Sequence, residues 1–127
     1  MTAQKLLDNA LALILTSSVI TPEYSACAVP LINQMLAEIT PYDNIIRAER
    51  GLPRQAGMLI LSLGDELPCQ DRLASAALPY GLAAKLLIDD DELAKAAFFH
   101  NQYISACEMA AGWQAGPVKD CYAGGAI

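Results

Sequence analysis

Asp89, Asp90, Asp91 and Glu92 form the densest group of oxygen ligands in this 127-residue chain. Calcium and magnesium take oxygen ligands, so the run raises the question of a metal site. Its spacing opposes one. A calcium-binding loop alternates its oxygens around a glycine and closes on a glutamate about twelve residues on, whereas these carboxylates are contiguous. Inside a helix, successive side chains diverge by about 100 degrees and do not converge on one ion. The same residues suit a helix start, where aspartate accepts bonds from free backbone N–H groups and negative charge meets the positive end of the dipole. Asp90 and Asp91 are therefore expected to be structural, opening a helix at about Asp91, and no metal is expected.

His100 is the one histidine, and it lies on an apolar helical stripe. Acid–base catalysis needs a partner placed by the fold, and the sequence names none, so a packed and hydrogen-bonded role is expected. Cys27, Cys69, Cys107 and Cys121 are widely spaced, with no CxxC and no histidine at zinc-finger distance. They read as reduced thiols of a cytosolic protein, Cys27 and Cys107 as small core residues. GxSxG, Walker, GxGxxG and HExxH patterns are absent. Phe98, Phe99 and Tyr103 are expected to pack in the core, because only Lys95 interleaves a positive charge near them. No catalytic or cofactor-binding residue is expected, and the chain is expected not to be an enzyme.

Helical periodicity governs the elements around these residues. Leu6, Leu7, Ala10, Leu11 and Ile14 predict an amphipathic helix over residues 3–15. Thr21, Pro22 and Glu23 stand in the order of N-cap, first-position proline and first-turn acid, so a second helix begins at Pro22. Its face contains Ala26, Val29, Ile32, Leu36 and Ile39. Pro30 is expected to bend it and Pro41 to stop it near Thr40. Residues 41–68, with Gly51, Pro53 and Gly57, predict an irregular excursion with one short helix, and "MLILSL" at 58–63 a short strand or extended segment.

Asp71 reads as the N-cap of the next helix, whose stripe of Leu73, Ala77, Tyr80, Ala84 and Leu87 runs unbroken through Pro79 and Gly81. That helix is expected to persist with a kink, its small residues admitting a close neighbour. The last helix, about 91–111, carries a main stripe of Leu93, Ala97, His100, Ile104, Cys107 and Ala111. Beside it runs a second, of Ala96, Phe99, Tyr103, Ala106 and Ala110. Residues 112–127, rich in glycine and proline, read as an extended tail. The expected fold is all-α: one domain over 1–127, a bundle of about four helices with a core at about 3–111, a short irregular or β excursion, and a tail.

Composition narrows the function classes. At 54 % hydrophobic and 17 % charged, the chain is a folded domain with more apolar surface than a small monomer easily hides, so self-association is expected. No apolar run reaches the roughly 18 residues that cross a bilayer, and the N-terminus lacks a signal-peptide pattern, so a soluble, unexported protein is expected. A net charge of −6 disfavours general nucleic-acid binding. Arg47, Arg50 and Arg54 form one local basic segment within it, as a solvated loop would.

"SLGDELP" followed by "RLASAALPYGLAAKLLIDDDELAKAAFFHNQY" resembles the C-terminal half of small helical head-tail adaptor proteins of tailed bacteriophages, also called head completion or connector proteins. The similarity covers residues 62–103 and is most specific at PYGLAA. The first half matches only in kind, as a helix, a break and a second helix. The resemblance implies a non-enzymatic virion protein of the neck, present in the host cytoplasm before assembly. Its copies would form a homo-oligomeric ring, a dodecamer, beneath the portal protein. That ring would extend the channel through which genomic DNA slides without specific binding, and would dock the next tail component, a stopper or tail-terminator protein. No membrane is implied. Expected assembly contacts are Arg47, Arg50 and Arg54, which can pair with acids on a neighbour, and Trp113, Val118, Tyr122 and Ile127 of the tail, which gain free energy only when covered. Pro79 and Gly81 are expected to shape a helix for close packing. The alternatives are a small acidic phage protein that regulates or inhibits a host enzyme, which would be monomeric or dimeric with an exposed acidic face, and a small helical enzyme, which would need a carboxylate beside His100.

Overall fold

The computed structural model describes residues 1–14, 22–89 and 92–112, and these form an all-α bundle. The helices are α1 (Ala3–Ile14), α2 (Pro22–Glu49), α3 (Asp71–Ala76), α4 (Leu78–Asp89) and α5 (Leu93–Ala110), five where about four were expected. The antiparallel α4 and α5 form the closest pair, with α1 against α4 and α2 against both. In α1 the buried side is Ala3, Leu6, Leu7, Ala10 and Leu11. Thr2 caps it: its Oγ1 accepts the Lys5 N–H at 3.2 Å. The expected N-cap Thr21 lies outside the described residues.

The stop expected at Thr40 does not occur; α2 runs on through Pro30 and Pro41 to Glu49. Two local facts permit this. The carbonyls deprived of a partner belong to Ala26 and Ala37, both at exposed positions where water can serve them. The buried row Ala28, Ile32, Met35, Ile39, Asp43, Ile46 also keeps helical spacing across Pro41, so packing holds the helix together. The effective terminator is Gly51, at φ 71°. Its N–H bonds the Ala48 carbonyl at 3.2 Å and the Leu52 N–H bonds the Arg47 carbonyl at 2.8 Å, the paired closure of a Schellman motif.

Of the short strand or extended segment expected at 58–63 the structure has the extended form without a strand; the one β-bridge among the described residues joins Thr2 to Glu66. Extended chain is present, but helix α2 stands where a partner strand would. Asn33 donates from Nδ2 to the Ile60 carbonyl at 3.0 Å and accepts the Ile60 N–H at 2.7 Å. Asn44 does the same to Gln55, at 3.1 and 2.8 Å. Eleven helical residues and five extended ones both span about 16 Å, so the two clamps match in pitch. Residues an odd number apart in a strand face opposite ways, and Gly57, at φ 67°, supplies the reversal that lets both clamped residues face α2. Met58 and Ile60 fill the core beneath this strap.

The expected single kinked helix is two helices, broken at Ala77. Pro79 has no N–H to offer the Ser75 carbonyl, so the ladder fails one turn before it. Asp71 is the first residue of α3, and Gln70 is the N-cap without a side-chain cap bond. The carboxylate run sits at a joint: Asp89 closes α4, Glu92 is the N-cap of α5 without a side-chain cap bond, and Asp90 and Asp91 lie outside the described residues. The helix thus opens at Leu93, two residues past the expected start.

The two stripes of α5 exchange roles. Ala96, Tyr103 and Ala110 of the second stripe are buried, with Phe99 and Ala106 partly so. Of the expected main stripe only Cys107 and Ala111 are buried, while Leu93, Ala97, His100 and Ile104 face outward. Phe98, expected in the core, is 58 % exposed.

Candidate interaction surfaces

A close contact at the centre of the bundle fixes the helices that carry these surfaces. A Cβ placed on Gly81 would lie 2.7 Å from Met35 Sδ and 2.8 Å from Tyr103 Cδ1, so glycine is what lets α4 meet α2 and α5 here. Pro79, two residues before it, is buried too. The Tyr103 hydroxyl donates to Glu38 Oε1 at 2.9 Å, and Lys85 Nζ reaches Glu38 Oε2 at 3.1 Å. One α2 carboxylate therefore ties both helices of the α4–α5 pair. Burial first, and then the Glu38 charge, push the Tyr103 phenol well above its ordinary range, which leaves it a hydrogen-bond donor and no base.

An open apolar groove of about 400 Å³ lies between the C-terminal half of α4 and the N-terminal half of α5. Ala84, Ile88, Leu93, Ala96 and Ala97 make its walls, with Lys85 and His100 as its polar members. Ile88 is 54 % and Leu93 64 % exposed. The His100 ring stands edge-on to Tyr103, with centroids 6.1 Å apart. The expected packed histidine is thus an exposed one, lying at the edge of an apolar trough. A second open groove, of about 440 Å³, has Pro41, Ile45 and Ala48 of α2 with Asn44 and Arg54 around it.

The three arginines separate. Arg47 is turned inward: its side chain is 13 % exposed, its Nε donates to the fully buried Asp43 carboxylate at 2.6 Å, and its Nη2 donates to the Pro68 carbonyl. Asp43 also accepts the Gln70 N–H at 2.7 Å, so this pair fastens the end of the excursion to α2. Arg50 is exposed and bonds Gln70 Oε1, and Arg54 is exposed beside the second groove. Sequence reasoning grouped them by proximity along the chain and missed Asp43, whose i, i+4 spacing to Arg47 was the available signal. Trp113, Val118, Tyr122 and Ile127 lie outside the described residues.

A hydrogen-bonded turn follows the strap directly. Asp65 accepts the Leu61 and Ser62 N–H groups at 2.8 and 3.1 Å and the Ser62 hydroxyl at 3.1 Å. The backbone donors hold its carboxyl below the usual carboxylate range. Leu59, before this turn, and Leu61, its first residue, are 58 % and 83 % exposed. Cys69 and Cys107 are buried free thiols, each pushed up to about 12 chiefly by burial, and Cys27 is half-buried. Among the described residues no group of three or more His, Cys, Asp or Glu is placed to hold a metal ion, and no helix is long and apolar enough to cross a membrane. No family model matches the chain, and no curated protein or solved structure is significantly similar to it.

Proposed function

We propose that this chain is a structural virion protein, a head-to-tail adaptor whose copies form a ring under the portal, extend the DNA channel and dock the next tail component. The observation that carries the reading is the number of large apolar side chains that the α4–α5 pair leaves exposed. Ile88, Leu93, Phe98, Ile104 and Met109 are each between 36 % and 64 % exposed. Exposed apolar surface on a small acidic subunit gains free energy when another protein covers it. The resemblance over residues 62–103 supports the same reading, because that segment contains α3, α4, the first part of α5 up to Tyr103 and the PYGLAA string whose glycine sits at the central contact. An acidic subunit also suits a channel along which DNA slides without sticking.

The test is capture by portal protein, read beside a melting curve. Full-length chain is expected to bind portal and to appear in native mass spectra as a closed ring with it. Deleting the chain after Gly116 is expected to leave the melting curve unchanged and to abolish capture. Full-length chain that fails to bind portal would defeat the adaptor reading.

A further inference from the structure

We propose that residues 118–122 of the tail dock as an extended segment in the second groove, on the outer face of α2 in the same chain. The tail starts beside that groove. Gly112, at φ 74°, ends α5, and a Cβ placed on it would lie 3.7 Å from Glu49 Oε1, so the chain leaves the bundle at the sequence neighbour of Ala48, which lines the groove. Residues 113–117 make a tether of up to about 17 Å, ample for that distance, and so short a tether gives the segment an effective concentration in the millimolar range. Docking within one subunit is independent of the adaptor reading.

Groove and segment match in length, polarity and charge. Pro41, Ile45 and Ala48 follow one another along about 10 Å of α2, on the side away from the buried Ile39, Asp43 and Ile46. In an extended chain Val118, Asp120 and Tyr122 share one side over about 13 Å, two apolar groups with a carboxylate between them, while Lys119 and Cys121 face the other way. Arg54 lines the same groove, and it is the one arginine whose side chain has no hydrogen bond or ion pair to a described residue, so its charge is available to Asp120. The wall is preformed, because Asn44 clamps Gln55, next to Arg54, at 3.1 and 2.8 Å. A contact this small opens locally well before the bundle melts, which is why its loss leaves the melting curve unchanged.

The experiment places a nitroxide on Cys121 of the full-length chain, with Cys27→Ser so that Cys121 is the thiol that reacts, Cys69 and Cys107 being buried. Paramagnetic broadening is then read on the amide NMR signals of isotope-enriched protein. The Ile45, Ala48 and Arg54 amides are expected to lose most of their intensity. They are expected to regain it in Arg54→Glu, and in Ala48→Asp, which sets a second carboxylate against Asp120. Adding Asp120→Arg to Arg54→Glu is expected to bring the loss back, since the pair is then reversed in sign. Melting curves verify folding, and Ile45→Ser replaces Ala48→Asp if that variant fails to fold. Signals that stay sharp, broadening that survives both substitutions and so reports only the nearness of the tether, or a charge reversal that restores nothing would each overturn the proposal. So would equal broadening between chains, when unenriched nitroxide-bearing chain is mixed with enriched chain lacking it, because the segment then docks on a neighbouring copy.

Discussion

Gly81 is the residue on which the bundle turns. Replacing it with alanine raises intrinsic helix propensity by up to about 1 kcal/mol, yet the new methyl group would meet Met35 Sδ and the Tyr103 ring at 2.7 to 2.9 Å. The ring is 2 % exposed and tied to Glu38, so it has little room to yield. Overpacking of this kind costs about 1 to 3 kcal/mol, and Gly81→Ala is expected to lower the urea midpoint. The buried thiols make a second prediction. Cys69 and Cys107 titrate at about 12 in the folded chain against an ordinary 9. The native state therefore holds protons that the unfolded chain releases, so stability is full below pH 9 and is lost as pH rises toward 12. Titrated Tyr103, also raised, acts in the same direction. Chemical denaturation across that range should show the decline, and at pH 8 both thiols should resist alkylation until the protein is unfolded.

At the scale of the element, the strap over residues 55–60 is held by side-chain amides where a sheet would use a neighbouring strand. Asn33→Ala would leave the N–H and carbonyl of Ile60 without their partner, at a cost of about 1 to 3 kcal/mol. Hydrogen exchange should report it locally, with the Ile60 amide losing protection while the amides of α4 and α5 keep theirs. The sequence made the extended character of this segment legible through Met58, Ile60 and their outward neighbours Leu59 and Leu61. What it did not reveal was the partner, because an asparagine on a helix face carries no local sign that it substitutes for a strand 27 residues on. Likewise Pro41 was a plausible terminator, and Gly51 with Pro53 was the stronger one, since a C′ glycine closes two carbonyls while a proline frees only one.

For the molecule as a whole, the basic segment divides into a part that serves the fold and a part that is free to serve assembly. Arg47→Glu would set a second carboxylate against fully buried Asp43, and breaking such a pair costs about 3 to 5 kcal/mol, so the variant is expected to melt far below wild type. Arg54→Glu changes an exposed position and is expected to shift stability by no more than about 0.5 kcal/mol. Thermal melts of the two variants check this directly. A weakening of portal capture can then be read as an interface effect for Arg54 and not for Arg47.

The sequence by itself determined the all-α class, the apolar face of α1, the start of α2 at Pro22, the close approach at Gly81 and the excess of apolar surface. Each of these is written in residue type and short-range spacing, which fix the backbone's local options. Tertiary structure alone decided that α2 continues past Pro41, that residues 58–63 find no strand, and that α4 separates from α3 at Ala77. It also decided which of two equally regular stripes on α5 turns inward. Leu93, Ala97, His100 and Ile104 are as periodic as Ala96, Phe99, Tyr103 and Ala110, and a helix has no preference between them. The choice belongs to Gly81, Met35 and Glu38, which accept Tyr103 from other helices and so leave the stripe of Leu93, Ala97, His100 and Ile104 facing outward.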